Sequence, residues 1–214
     1  MNTPIKLVEN LYISYGADGS DYIICTENNV VIYFIADGHS QRSGSADLIR
    51  LFIDYMNNHL PHENLTKFNV KQKICEHLRI FKETVKRKLP RAAMCFVIAV
   101  KLENRLHTFY LGDCRLGMLS GKDIIWITKP HSCVLVENPN MTEEELRLSE
   151  FNHLIYKQFS AIKFKDPDYF AFDAIDSNYI LATDGFWKLA PEQQNLILDG
   201  KQVLIDDDIA FLKF

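Results

Sequence analysis

Residues 30–40 read VVIYFIADGHS, and the rest of the chain is best read outward from them. The run of Val, Ile, Tyr and Phe over 30–36 predicts a strand buried on both faces, and Asp37-Gly38 ends it. An Asp that follows a buried apolar strand emerges at the sheet edge facing inward. The Gly beside it lets the backbone turn tightly enough to offer its carbonyl, and an acid and a carbonyl so placed are the makings of a hard-cation site. Asp-Gly is also one of the commonest turn dipeptides, so a single copy on its own reads more readily as a turn. Residues 179–187, YILATDGFW, repeat the design at Asp184-Gly185.

Around these two stretches the hydrophobic period alternates between sheet and helix. Strands are expected at 11–15 and 22–25 before the first motif. From Ser45 the period becomes helical, with Leu48, Ile49, Phe52, Ile53 and Met56 on one face until Pro61. A second helix over 69–89 carries an apolar stripe of Val70, Ile74, Cys75, Leu78, Phe81 and Val85, and its Lys/Arg-rich opposite face reads as solvated. Strands return at 94–100, 106–111, 115–119 and 124–127, separated by turn signals, and read as an antiparallel meander. A short capped helix is expected within 141–150, then strands at 169–172 and 179–183, a helix opened by Pro191, and a last strand at 209–214. Strands, two long helices, strands, and a small helix before a final strand predict an α+β sandwich of sheet layers covered by helices.

Composition narrows the classes. The 214 residues are 47% hydrophobic and 24% charged, as in an ordinary globular domain, and the length predicts one continuous domain over 1–214. Lys+Arg 24 against Asp+Glu 28 leaves a net charge of −4, without the positive excess that phosphate-backbone binding needs, so nucleic acid is not an expected partner. The longest apolar run is far short of a membrane span and the first residues lack a secretion-signal layout, so no membrane association is expected. Five widely spaced cysteines without C-x-x-C indicate neither a disulfide frame nor a zinc site and fit a reducing cytoplasm. The sequons at Asn64 and Asn140 then have no consequence.

Three further carboxylate positions stand at strand ends: Asp113 in FYLGDCR (109–115), the run Asp206-Asp207-Asp208 in IDDDIAF (205–211), and Asp21 before YIIC. Spacing alone does not bring them together. If they converge, two carboxylates about 4 Å apart repel by roughly 4 kcal/mol even at an effective dielectric of about 20. An oxygen-seeking divalent ion, Mg²⁺ or Mn²⁺, removes that cost. No cysteine is followed by C-x₅-R, the sixth residue being Val31, Phe81, Lys101, Ser120 or Pro139, and neither a G-x-x-x-x-G-K-[ST] loop nor H-E-x-x-H occurs. Cysteine phosphatase, P-loop hydrolase and zinc protease chemistries are thereby disfavoured.

DGHS, LGDCR, ATDGFW and DDDIAF, in this order and with two helices after the first, resemble the metal-dependent protein phosphatases of type 2C, over nearly the whole chain from Leu11 to Phe214. The resemblance implies a four-layer α-β-β-α sandwich of two antiparallel sheets flanked by helices. It implies a monomeric enzyme that hydrolyses phosphoserine and phosphothreonine in phosphorylated proteins, with two or three Mn²⁺ or Mg²⁺ ions and a metal-bridging hydroxide as nucleophile. Carried over by position, Asp37 would bridge two ions and the Gly38 carbonyl would bind one of them. Asp184 and Asp207 would hold the second ion, Asp113 a weaker third, and Asp21 would touch a metal-bound water. His39 falls where some members place a general acid, and its ordinary pKa near 6.5 suits that task. KPHS, with His131, resembles the stretch before the family's variable flap.

The departures are specific. Gly16 and Ser20 stand where the early motif carries Arg and Glu, Arg91-Ala92-Ala93 replaces Gly-Thr-Thr before the central strand, and Asp208 replaces a terminal Asn. The phosphate-gripping arginine is therefore missing from its place, with Arg42 and Arg91 as candidate substitutes. Two other readings remain open at this point: a catalytically silent relative that binds a phosphoprotein or partner domain, and a metal-dependent nuclease or nucleotide phosphatase using the same acids. Phe186 and Trp187 are expected to pack as core beneath the Asp184 turn.

Overall fold

The structure is a computed structural model that describes residues 30–163, 165–174, 178–205 and 207–214 in full, and the backbone alone of 5–8, 11–13 and 20–25. Its elements run β1 (Ile5–Val8), β2 (Leu11–Ile13), β3 (Ser20–Cys25), β4 (Val31–Gly38), α1 (Ser45–His59), α2 (Val70–Val85), β5 (Ala93–Leu102), β6 (Arg105–Leu111), β7 (Arg115–Ser120) and β8 (Asp123–Trp126). They continue with α3 (Cys133–Glu137), α4 (Glu143–Leu148), β9 (Phe159–Ser160), β10 (Asp168–Asp173), β11 (Tyr179–Ala182), α5 (Asp184–Trp187), α6 (Pro191–Leu198) and β12 (Ala210–Lys213). Two antiparallel sheets result, ordered β1-β2-β12-β11-β7-β8 and β10-β6-β5-β4-β3, with β9 added on β5.

Side-chain alternation explains the layering. On β4, Ile32, Phe34 and Ala36 belong to the cluster shared with α1 and α2, whereas Tyr33 and Ile35 belong to the cluster between the sheets. A period of two carries Asp37 to the inter-sheet side with Tyr33 and Ile35. The neighbouring strand obeys the same rule, with Met94, Phe96 and Ile98 toward the helices and Cys95, Val97 and Ala99 inward. Helix α1 seats Phe52 among Phe34, Phe81 and Phe96, with ring centroids 5.2–5.8 Å apart. On the far side Ile180, Ala182, Ile209 and Phe211 pack with Phe186 of α5 and Ile197 of α6. The four layers are thus α1/α2, sheet, sheet and α5/α6, the α-β-β-α sandwich the resemblance implies.

One expectation needs correction. The four strands over 93–126 are not one meander: β5 and β6 pair in one sheet, β7 and β8 in the other. The chain changes sheets at Gly112-Asp113, where Gly112 has φ +91° and a Cβ would lie 2.1 Å from Cys95 Sγ. A turn signal marks where a strand ends, but the partner of the next strand is a long-range choice. The short helix expected within 141–150 is α4, opened by a Thr142–Glu145 capping box. The charged face of α2 is exposed, though Arg79 also pairs with Asp166. Among the described residues no helix is long and apolar enough to cross a membrane.

Candidate active site

The strand ends that carry the acids meet at one rim of the sandwich. A cleft of ≈ 450 Å³ is lined by Asp37, Gly38, His39, Asp113, Asp184 and Asp207 together with Asp208. Six of the seven residues singled out by position therefore converge. The seventh, Asp21, has its backbone opposite Ile35 on β3, and its side chain lies outside the described residues.

Each acid has a local reason for its place. Asp37 ends β4 opposite Cys95. Asp113 sits in the crossover after Gly112 and is 3% exposed. Asp184 is the first residue of α5, its Oδ1 accepting from the Gly185 N–H at 3.0 Å. Thr183 and Ala210 exchange hydrogen bonds, Thr183 N–H to Ala210 O and Ala210 N–H to Thr183 Oγ1, both 3.0 Å. That clamp ties the end of β11 to the start of β12 and delivers the 207–208 segment to the cleft. Gly185 is required for close approach rather than for a turn: a Cβ there would stand 2.0 Å from the Asp208 carbonyl oxygen. Neither Gly38 nor Gly185 has a positive φ, so the tight turn expected from each Asp-Gly pair is not what these glycines supply.

The convergence shows in the protonation of the acids. Burial, then the Asp184 carboxylate and a hydrogen bond with it, push Asp37 well above the ordinary carboxylate range, with Asp113 and Asp207 adding to the effect. Burial and Asp184 raise Asp113 to about 7, and the same two causes raise Asp207. Burial also acts against the charge of Asp184, but Lys188 and the hydrogen bond from Asp37 outweigh it and hold Asp184 below its ordinary value. The pair thus shares a proton carried by Asp37. Lys188 Nζ donates to Asp184 Oδ2 at 2.7 Å. Burial disfavours its ammonium, yet Asp184, Asp113 and Asp207 keep it charged. Lys188 was not anticipated, although its i,i+4 spacing from Asp184 would have revealed it had 184–187 been read as helical.

Among the described residues no group of three His, Cys, Asp or Glu side chains is spaced to hold an ion as it stands. A proton between Asp37 and Asp184 and the Lys188 ammonium hold the acids in their present arrangement. The donor set nevertheless fits a hard divalent cation: carboxylates and a backbone carbonyl, all oxygen, in a cleft whose acids repel one another enough to retain protons.

The cleft wall is built from two segments. His39 N–H donates to Ala93 O at 3.1 Å, and Gln41 N–H donates to His39 Nδ1 at 3.3 Å, so a neutral His39 ring carries its proton at Nε2. Burial, then the nearby Arg42 guanidinium, lower the His39 pKa. The cleft is also lined by His153, Leu154, Ile155 and Gln158, in the segment poorly matched to the resemblance, where no sequence signal pointed to them. His131 anchors that segment. Its backbone N–H donates to Gly112 O at 2.8 Å, its Nδ1 accepts from Gly112 N–H at 2.9 Å, and its Nε2 donates to Asp168 at 3.0 Å.

Beside the cleft Arg115 is fully buried. Its guanidinium lies 4.9 and 5.0 Å from the Trp126 and Trp187 ring centroids and bonds both oxygens of Glu143 on α4 at 2.6 and 2.9 Å. Its Nε donates to Thr128 O at 2.8 Å. Trp187 Nε1 donates to Asp113 O at 2.7 Å, so the core role expected of Trp187 extends to holding the backbone of a cleft acid.

This sandwich, with acids gathered at one rim, is the fold of the bacterial serine/threonine phosphatases. The chain is similar to the serine/threonine phosphatase Stp1 from Staphylococcus aureus (17% identity, 100% of this chain and 94% of that one, TM-score 0.81). It is also similar to the Mycobacterium tuberculosis serine/threonine phosphatase PstP/Ppp (18% identity, 100% and 94%, TM-score 0.71). A third similar structure is the catalytic domain of PstP in complex with two manganese ions (18% identity, 93% and 92%, TM-score 0.68). No family model matches the chain, and no curated protein matches it in sequence. At 17–18% identity these likenesses establish the fold, and the resemblance drawn from the motifs agrees with it.

Proposed function

We propose that the protein is a Mn²⁺- or Mg²⁺-dependent phosphatase of phosphoserine and phosphothreonine in proteins. The observation that carries the reading is the meeting of Asp37, Asp113, Asp184 and Asp207, from four separate strand ends, in one cleft. The manganese complex of a similarly folded phosphatase supports it. Asp37 and the Gly38 carbonyl would hold one ion, Asp37, Asp184 and Asp207 a second, Asp113 a weaker third, with Asp21 at a bound water. When bound, such ions lower the pKa of water and neutralise charge developing at phosphorus.

The chain's own residues do the rest. Protonated His39 would donate from Nε2 to the departing serine or threonine oxygen, and its lowered pKa makes the imidazolium a stronger acid. Residues of the 153–158 segment line the cleft and would meet a phosphopeptide bound there. The same reading takes 1–214 as one catalytic domain, acting as a monomer in the cytoplasm on phosphoprotein and not on nucleic acid. The test is hydrolysis of p-nitrophenyl phosphate and of a phosphothreonine peptide with Mn²⁺. Turnover is expected, falling to background in Asp37→Ala and Asp184→Ala. A folded wild type that turns over neither substrate with any divalent metal would return the protein to the class of silent phosphoprotein binders.

A further inference from the structure

We infer that Arg42 is the phosphate-binding residue of this cleft, its guanidinium taking two non-bridging oxygens of a phosphomonoester dianion, with Gln158, which lines the same cleft, as an amide partner. The inference rests on the phosphatase reading of the site and adds the group that recognises its substrate.

Five acids line the cleft, Asp37, Asp113, Asp184, Asp207 and Asp208, and a dianion needs cationic donors beside these carboxylates. The lining residues that can carry positive charge are Arg42, His39 and His153, and only arginine is charged at every working pH and offers two parallel N–H donors matched to a phosphate. Four other arginines are paired, Arg50 with Asp47, Arg79 with Asp166, Arg105 with Asp173 and Arg115 with Glu143, and neither Arg87 nor Arg147 lines the cleft. The Arg42 guanidinium has no ion pair or hydrogen bond among the described residues, although acids line the same cleft. Arg91, the other candidate substitute, is exposed like Arg42 but does not line the cleft.

The backbone beneath Arg42 is fixed. Its N–H donates to His39 O at 2.9 Å, its carbonyl accepts from Ser45 N–H at 3.3 Å, and His39 is tied to β5 through Ala93 O. A side chain free at its tip on an anchored turn is suited to gripping a ligand that arrives beside His39. Gln158 lines the same cleft and its Oε1 is buried without a partner; turned toward the cleft, its amide would offer Nε2 as a second donor for the oxyanion. Gly16, where the resemblance leads one to look for the gripping arginine, has no side chain to do this.

The test uses the full chain. Inorganic phosphate binding to the Mg²⁺-loaded protein is measured by calorimetry, p-nitrophenyl phosphate kinetics with Mn²⁺, and melting with and without Mn²⁺, for wild type, Arg42→Ala and Arg42→Lys. Arg42→Ala should weaken phosphate binding and raise KM by about 10- to 100-fold, the loss falling mainly on KM. Arg42→Lys should recover part of it, and the Mn²⁺-induced gain in Tm should be the same in all three. Turnover with unchanged KM and phosphate affinity in Arg42→Ala overturns the inference and leaves the phosphatase reading standing. Phosphate binding that depends on Arg42, in a protein without turnover, does the reverse. Wild type that binds no phosphate, or an Arg42→Ala variant that loses the Mn²⁺ gain, also overturns the inference.

Discussion

Two regions side by side handle buried charge in opposite ways. At Arg115 the charge is compensated from within: two indole faces, both oxygens of Glu143 and the Thr128 carbonyl meet one guanidinium that is 0% exposed. In the cleft, Asp37, Asp113 and Asp207 are all raised, and the Lys188 ammonium is the cation held among them. A buried charge complete with its partners serves the fold. Several buried like charges with too few partners are held at a cost to the fold and become favourable only when a cation arrives from outside. The two regions share Trp187, which stacks on Arg115 and hydrogen-bonds the Asp113 carbonyl, so the satisfied region positions the unsatisfied one.

Removing a carboxylate should therefore have opposite consequences in the two places. The largest effect on stability is expected for Glu143→Ala, which leaves Arg115 buried without its counter-ion. A loss of about 2–3 kcal/mol in denaturant unfolding is expected, below the full penalty for breaking a buried pair because Glu143 itself is half-exposed. A loss within the error of the measurement would break the comparison. Next comes Asp37→Asn, which puts a neutral amide where a carboxyl already holds its proton. Without metal its stability should change by less than about 1 kcal/mol. With Mn²⁺ at about 100 times Kd, wild type should gain about 2.7 kcal/mol and the variant far less. Equal gains would remove Asp37 from the ion site.

The smallest effect sharpens the comparison with a group that is buried and neutral. Burial lowers the His131 pKa from its ordinary 6.5, outweighing the hydrogen bond to Asp168, while the nearby Lys157, itself paired with Asp168, also disfavours the imidazolium. The unfolded state then takes up its proton first. The stability His131 contributes is fully present above pH 6.5 and is lost as pH falls through the lower folded-state value. The stability difference between wild type and His131→Gln, measured without metal so that the acid cluster largely cancels, should narrow between pH 7.5 and 5 by about 1 kcal/mol or less. A widening difference would mean that the ring is charged in the folded protein.

Much of this was legible in the letters because it depends on local period. Alternation along 30–36 set which residues of β4 face the helices, and one further step carried Asp37 to the inter-sheet side. The i,i+3/i+4 stripes of α1 and α2 and the Thr142–Glu145 cap are likewise short-range. The hidden parts share a cause. That β6 and β7 belong to different sheets, that Gly185 is small because the Asp208 carbonyl presses on it, and that His153 and Gln158 line the same cleft as Arg42 depend on residues distant in sequence.

By itself, the sequence determined where strands end in acids and that Asp37 points between the sheets, since a two-residue repeat acts within a few bonds. Only the tertiary structure decided that the acids share one cleft, that Lys188 lies among them, and that Arg42 stands at its wall. Those facts follow from how two sheets stack and which strand pairs with which, and burial and Coulomb coupling are properties of that packed arrangement.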